Sequence, residues 1–143
     1  MRQAGRQGRR AATTTTLVIA AAVTFASVTY ARQTAARTPT TVTQVMTAMT
    51  VPVSDAIFDA TAEHPATAEA WAALRKSAVT LAESGRLLMT DALAKDKNTW
   101  VEMARDLVRE AEATIKVAEA KDRDALENAG DSVYATCKAC HGR

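Results

Sequence analysis

The sequence predicts an all-α fold, an antiparallel four-helix bundle, on the strength of three observations. Apolar residues recur at steps of three and four through most of residues 41–143, which is the spacing of one helix face. No alternation of apolar and polar residues there is long enough for a strand. Only Pro52 and Pro65 interrupt the region, so that the remaining segments are free to be helical.

Residues 1–31 have the order of a secretory signal peptide. Residues 1–10 carry four arginines and no acidic residue, and a moderately apolar run follows. Small residues then stand at the −3 and −1 positions of a cleavage site. We expect cleavage near Ala31 or Ala36 and export to the periplasm. An uncleaved membrane anchor is the alternative, although Thr13–Thr16 shorten the apolar run below the ~20 residues of a typical span.

Removing this segment changes the charge of the protein. The whole chain has 18 basic and 16 acidic side chains, a net charge of +2. Four of the basic residues and none of the acidic ones lie in residues 1–31, which leaves fourteen against sixteen, or −2, in residues 32–143. No basic patch of the kind that binds nucleic acid survives, so nucleic acid is not an expected partner.

The mature part divides into a leader and one domain. Residues 32–40 are polar, contain Pro39 and show no periodicity, which predicts a flexible leader. Residues 41–143 are long enough for a single domain with a modest core.

The first helix is predicted from about Thr41 to Ala62. Its apolar stripe consists of Val42, Val45, Met46, Met49, Val53, Ala56, Ile57 and Ala60. Pro52 lies inside this stretch and is expected to kink the helix or to end its first segment. Residues 63–66 form the following turn, in which His64 is expected to be exposed.

The second and third helices are predicted from their caps and their apolar stripes. Thr67 is the expected N-cap of the second helix, with Glu69 in its first turn and an end near Thr90. Asp96 or Asn98 is the expected cap of the third. The second helix has the heptad-like seam Trp71, Leu74, Ala78, Leu81, Gly85 and Leu88, which suits antiparallel packing. The third is expected to bury Trp100, Met103, Ala104, Leu107, Ala111, Ile115 and Ala118.

The fourth helix, with Asp122 as its expected cap, carries the only two cysteines of the chain. Its apolar stripe consists of Leu126, Ala129, Val133, Cys137 and Cys140. The cysteines therefore continue the seam that faces the core of the bundle.

Residues 137–141, CKACH, have the C-x-x-C-H spacing of c-type haem attachment. Each thiol adds to one vinyl group of the porphyrin, and the adjacent imidazole ligates the iron. On a helix, positions i, i+3 and i+4 share one face. We therefore predict one covalent haem c on the fourth helix, held by Cys137 and Cys140, with His141 as the proximal iron ligand.

Other sites use the same residue types. A thioredoxin-like dithiol lies near a βαβ pattern, which this sequence lacks. A zinc site needs a fourth ligand, and the only other histidine is His64. A disulfide would close a very small loop and would leave His141 without a role. A haem-free interaction bundle with an incidental motif is a further alternative.

The combination of a signal peptide, a four-helix pattern and C-x-x-C-H on the last helix resembles the class II cytochromes c. These are the bundle cytochromes that include cytochrome c′ and its low-spin relatives. The segments VMTAMTVPVSDAIF and LAESGRLLM are also similar to those of small periplasmic members of the class. The resemblance covers residues 41–143, and its specific part is Cys137, Cys140 and His141.

The resemblance implies that the sixth coordination position of the iron faces the first helix. A thioether there gives a low-spin His/Met iron, whereas an apolar residue leaves the iron open to small gases. Met46 and Met49 lie three residues apart on one stripe, so periodicity does not choose between them. Resemblance to the low-spin members favours Met46 as distal ligand, with Met49 as the alternative. Met89 and Met103 are expected to be core residues.

The expected function is that of a periplasmic electron carrier rather than an enzyme. The protein would carry single electrons through the covalently bound haem and would exchange them with redox partner proteins in the periplasm. Class II members often form dimers, so a homodimer is possible. A membrane association is expected only if the signal segment stays uncleaved. The alternative function is that of a five-coordinate, cytochrome c′-like protein that binds nitric oxide or carbon monoxide.

Overall fold

The structure is a computed structural model that describes Pro39 and residues 41–143. The predicted signal peptide, residues 1–31, lies outside the described residues, as does the predicted leader apart from Pro39. In the described part every regular element is helical, and no strand occurs there. The all-α prediction is confirmed.

Four helices make up the described domain. The first, α1, has three consecutive parts: an α-helix at Val42–Val45, a π-helical turn at Met46–Thr50 and an α-helix at Val51–Glu63. The others are α2 at Ala68–Leu88, α3 at Thr99–Ala120 and α4 at Arg123–His141. None of the described helices is both long enough and apolar enough to cross a membrane.

The helices pack in a closed ring. α1 contacts α2, α2 contacts α3, α3 contacts α4, and α4 contacts α1. The beginnings of α1 and α3 meet the ends of α2 and α4 around one cleft, so consecutive helices run in opposite directions. This is the arrangement of an antiparallel four-helix bundle.

The core is formed by the apolar stripes that periodicity identifies. Ile57, Leu81, Leu126, Val45 and Val133 are the largest fully buried apolar side chains. All six residues of the predicted α2 seam are buried: Trp71, Leu74, Ala78, Leu81, Gly85 and Leu88. The prediction for α2 is therefore confirmed residue by residue.

The helix starts are fixed by side-chain caps. The Thr67 hydroxyl accepts a hydrogen bond from the Ala70 N–H at 3.2 Å, and the Asp122 carboxylate accepts one from the Ala125 N–H at 3.0 Å. The N-cap residue of α3 is Asn98, whose side chain makes no capping hydrogen bond. The other candidate, Asp96, supplies the side-chain acceptor, since its Oδ1 accepts from the N–H groups of Asn98 and Trp100.

The π-helical turn in α1 is not predicted by the sequence pattern. Pro52 has no N–H to donate, and in an α-helix its ring would clash with the carbonyl of Ala48. Just before it, the Val51 N–H donates to the Met46 carbonyl oxygen, five residues back. The helix therefore widens by one residue ahead of Pro52 and continues through it, instead of ending there.

His64 is partly buried, which corrects the expectation of an exposed residue. It ends α1 with a φ of 55°, in the left-handed region. Its Nε2 lies 3.8 Å from Oε1 of Glu127 on α4, and its Nδ1 is buried without a hydrogen-bond partner. Because α4 packs against α1, its Glu127 lies next to His64.

Two glycines mark places where helices approach closely. A Cβ at Gly85 of α2 would lie 2.8 Å from Cγ2 of Val108 on α3. A Cβ at Gly130 of α4 would lie 2.6 Å from Oγ1 of Thr61 on α1. Both glycines therefore allow contacts between neighbouring helices that a larger residue would obstruct.

Candidate functional site

A cleft lies at the end of the bundle where α1 and α3 begin and α2 and α4 end. Its cavity volume is about 40 Å³, which is below the range of drug-sized ligand sites. Its lining is largely apolar and comes from all four helices: Met46, Thr50, Leu88, Trp100, Met103, Ala104, Leu107, Thr136, Cys137, Cys140 and His141.

The C-x-x-C-H residues lie in the last turns of α4 and line this cleft together. Cys137 and Cys140 are half-buried and carry free thiols, while His141 is exposed. Their spacing of i, i+3 and i+4 on a helix places them on one face. The structure thus brings together the three residues that the motif analysis singles out.

The position of the cysteines follows from the core stripe of α4. Leu126, Ala129 and Val133 are buried along this helix, and Cys137 follows at the same spacing. Its side chain packs against the hydrophobic core. The motif is therefore turned towards the bundle by the same periodicity that holds α4 in place.

The two candidate thioether ligands of α1 are placed differently. Met46 is half-buried, lines the cleft and packs against the core. Met49 is also half-buried, but it is not among the residues that line the cleft. Between these two residues, Met46 is the one that shares a cavity with the motif.

Four further residues of the lining add to the site. Trp100 donates its indole N–H to the Leu88 carbonyl oxygen at 2.6 Å, which joins the start of α3 to the end of α2. Met103 is half-buried and lines the cleft, where the sequence analysis expected a core residue. Thr50 and Thr136 are absent from the sequence-based candidates, because threonine is not counted in an apolar stripe.

Both threonine hydroxyls of the lining donate to carbonyl oxygens of their own helices. Thr50 Oγ1 donates to Val45 O at 3.4 Å, and Thr136 Oγ1 donates to Ser132 O at 2.9 Å. These bonds satisfy the hydroxyls within the helices. The cleft wall therefore stays weakly polar although it contains two threonines.

The electrostatics of the motif differ from those of a reactive dithiol. Burial raises the pKa of the Cys137 thiol, and the neighbouring Cys140 raises it further. The motif also lies at the carboxyl end of α4, where the helix dipole disfavours a thiolate. Reactive C-x-x-C pairs have a lowered pKa instead, commonly at a helix amino terminus. The arrangement does not favour thiol–disulfide chemistry.

The disulfide and zinc alternatives also lack support in the geometry. Cβ atoms three residues apart on a helix are about 5–6 Å apart, whereas a disulfide needs roughly 3.5–4.5 Å. A bond between Cys137 and Cys140 would therefore require the last turn of α4 to unwind. Among the residues that the structure describes, no group of three or more His, Cys, Asp or Glu side chains is arranged to hold a metal ion.

Comparison of the chain with models of known protein families, with curated proteins and with solved structures finds no match.

Proposed function

We propose that this protein is a periplasmic c-type cytochrome that carries single electrons on one covalently bound haem. The observation that supports the proposal is the shared cleft: two thiols and an imidazole on one face of α4 line it together with the Met46 thioether of α1. Sulfur and imidazole are the donors that c-type haem iron takes as axial ligands.

The residues of the cleft fit this group chemically. Cys137 and Cys140 would hold the porphyrin through thioether bonds, His141 would bind the iron on the proximal side, and Met46 on the distal side. Burial raises the pKa of the Cys137 thiol, which favours its protonated form. Side chains such as Leu88, Trp100 and Leu107 would cover the apolar faces of the macrocycle.

The bound haem would supply one-electron redox chemistry, and the protein would supply its ligands and its burial. A methionine ligand raises the reduction potential of haem iron. The presence of Met46 in the cleft favours electron transfer over gas binding, which requires an open sixth position. The partners would be redox proteins of the periplasm. A homodimer is predicted only from the resemblance to the class II cytochromes c.

The test is to produce the full chain with the export and haem-attachment machinery of a bacterial host. Mass spectrometry of the peptide with Cys137 and Cys140 should show one added tetrapyrrole. The ferric absorption spectrum should be low-spin, with the weak long-wavelength band of methionine-bound iron. The double variant Cys137→Ser/Cys140→Ser is the control, and it should carry no covalent haem.

Two other results would decide against this proposal. A broad high-spin spectrum that changes when carbon monoxide is added would identify the five-coordinate, gas-binding alternative. Protein that keeps no haem after acid–acetone extraction, with both thiols unmodified, would leave a haem-free helical bundle.

A further inference from the structure

We propose that Pro52 is a positioning residue for the Met46 thioether and that it acts through the π-helical turn Met46–Thr50. The inference rests on the proposed function, since it concerns the group that would bind the iron on the distal side. It addresses why Met46 lines the cleft while Met49, on the same stripe of the sequence, does not.

The π-helical turn changes which side chains of α1 face the core. Val45 is fully buried and Thr50 is 5% exposed, although they are five residues apart. In an α-helix each residue turns by about 100°, so residues five apart would point about 140° away from each other. In a π-helix a backbone hydrogen bond joins residues i and i+5, so these residues point in more similar directions. The burial of both side chains therefore depends on the π-helical turn.

The same change directs Met46 towards α4. The edge of α1 that faces α4 is marked by Phe58, whose ring makes an edge contact with Tyr134 at 6.2 Å between centroids. The edge that faces α2 is marked by Ala60, which lines a groove with Leu74 of α2.

The extra residue of the π-helical turn rotates the start of α1 by up to about 100° relative to its later part. The direction of Met46 follows from its distance along the helix to Phe58 and Ala60, at about 100° per residue. With the π-helical turn Met46 lies on the side that faces α4, and without the turn it would lie on the side that faces α2. The cysteines of the motif are on α4, so the turn directs the thioether of α1 towards them.

Pro52 is the residue that excludes the uninterrupted α-helix. An α-helical path through position 52 would lack the hydrogen bond from residue 52 to the carbonyl of Ala48 and would press the proline ring against that carbonyl. The observed bond from the Val51 N–H to the Met46 carbonyl, five residues back, avoids both problems. An alanine at position 52 restores the N–H and admits the α-helical path.

The experiment compares Pro52→Ala with Pro65→Ala in haem-loaded protein. Pro65 is a matched control, because it is buried in the turn after α1 and does not line the cleft. In Pro52→Ala we expect one haem per chain as before, but loss of most of the long-wavelength methionine band and a lower reduction potential. Pro65→Ala should keep both.

Double variants separate this inference from the proposed function. If the methionine band persists in Pro52→Ala but disappears in Pro52→Ala/Met49→Ala, the ligand has moved to Met49 and Pro52 acts as proposed. If the band persists in Pro52→Ala/Met49→Ala and disappears in Pro52→Ala/Met46→Ala, then Met46 needs no help from Pro52 and the inference is wrong. Wild-type protein without haem contradicts the proposed function alone.

A haem-free measurement tests the positioning directly. In the Cys137→Ser/Cys140→Ser background, hydrogen peroxide converts accessible methionines to sulfoxides, which mass spectrometry counts residue by residue. Adding Pro52→Ala should change the oxidation rate of Met46 relative to that of Met103, which lines the same cleft from α3, because Met46 would leave the cleft. An unchanged ratio of the two rates would show that Pro52 does not hold Met46 in the cleft.

Discussion

Met46 and Cys137 lie on the first and the last helix of the domain, and their side chains line one cleft. The cleft is complete only when α1 and α4 pack against each other, since each supplies one part of the proposed ligand set. The placement of the proposed ligands therefore depends on how α1 and α4 pack against each other.

The first prediction concerns the distal ligand. Met46→Ala should remove the methionine band from the ferric spectrum and lower the reduction potential, because the thioether that stabilises ferrous iron is lost. Met49→Ala is the matched control, from the same helix and the same residue type, and it should leave both properties unchanged. A band that survives Met46→Ala and vanishes in Met49→Ala would assign the ligand to Met49 instead.

The second prediction concerns the thiols before haem attachment. Because burial raises the pKa of Cys137, this thiol should react with iodoacetamide more slowly at neutral pH than a free cysteine, and its rate should rise at a higher pH. The folded state also favours the protonated thiol. The Cys137 thiol therefore contributes to stability below the ordinary thiol pKa. This contribution is lost as the pH rises through the pKa of the thiol in the folded state.

Alkylation followed by mass spectrometry measures this rate for each cysteine separately. The control is the same chain unfolded in urea, in which the two thiols should react alike. A Cys137 thiol that reacts faster than a free cysteine at neutral pH would contradict the burial argument and would favour a redox dithiol.

The bundle and most of its caps could be predicted because they depend on local patterns. Apolar spacing identifies the buried seam of α2 completely, and short-range cap chemistry identifies Thr67 and Asp122. The C-x-x-C-H motif shares this property, since its residues lie within one helical turn. These features need no knowledge of the neighbouring helices.

The choice between Met46 and Met49 could not be predicted in the same way. Both lie within the width of one apolar stripe, and only the π-helical turn separates their directions. Pro52 predicts that α1 is not a regular α-helix at this point. A kink, a break and a widened turn are all compatible with a residue that has no N–H to donate. With the widened turn Val45 belongs to the buried core of the bundle, and membership of that core is not a local property of the sequence.

The third prediction tests the cap of α2. Thr67→Ala removes the acceptor of the Ala70 N–H, so it should lower the free energy of unfolding by about 1 kcal/mol. Urea unfolding followed by circular dichroism measures the change. Thr80→Ala, in the middle of the same helix, is the control and should be neutral or slightly stabilising, because alanine favours helix interiors. Equal losses in both variants would contradict the capping role.

The fourth prediction concerns stability at low pH. The pKa of Glu69 is lowered by hydrogen bonds from its own backbone N–H and from the Thr67 hydroxyl in the first turn of α2. Its contribution to stability is therefore present above the ordinary carboxylate pKa and is lost as the pH falls through the folded-state value. Glu69→Gln should reduce stability at neutral pH and have no effect in strong acid. A difference in the free energy of unfolding between the wild type and Glu69→Gln that does not change with pH would contradict the role given to the Glu69 carboxylate.

The fifth prediction tests the close contact between α2 and α3. In Gly85→Ala the new methyl group would meet Cγ2 of Val108 at 2.8 Å and the carbonyl oxygen of Ala104 at 3.2 Å. Valine has few alternative rotamers in a helix, and the carbonyl belongs to the backbone, so neither neighbour moves easily.

Overpacking of this kind costs about 1–3 kcal/mol, while replacing a helical glycine with alanine gains about 1 kcal/mol. We therefore expect Gly85→Ala to lower the free energy of unfolding by up to about 2 kcal/mol. Asn128→Ala, at an exposed position of α4, is the control, because it raises helix propensity without a new contact.

Because α3 also forms one wall of the cleft, a Gly85→Ala protein that is as stable as the wild type would show that α3 moves aside. The cleft should then differ in haem-loaded spectra as well, whereas a destabilised protein with an unchanged spectrum indicates a rigid contact between α2 and α3.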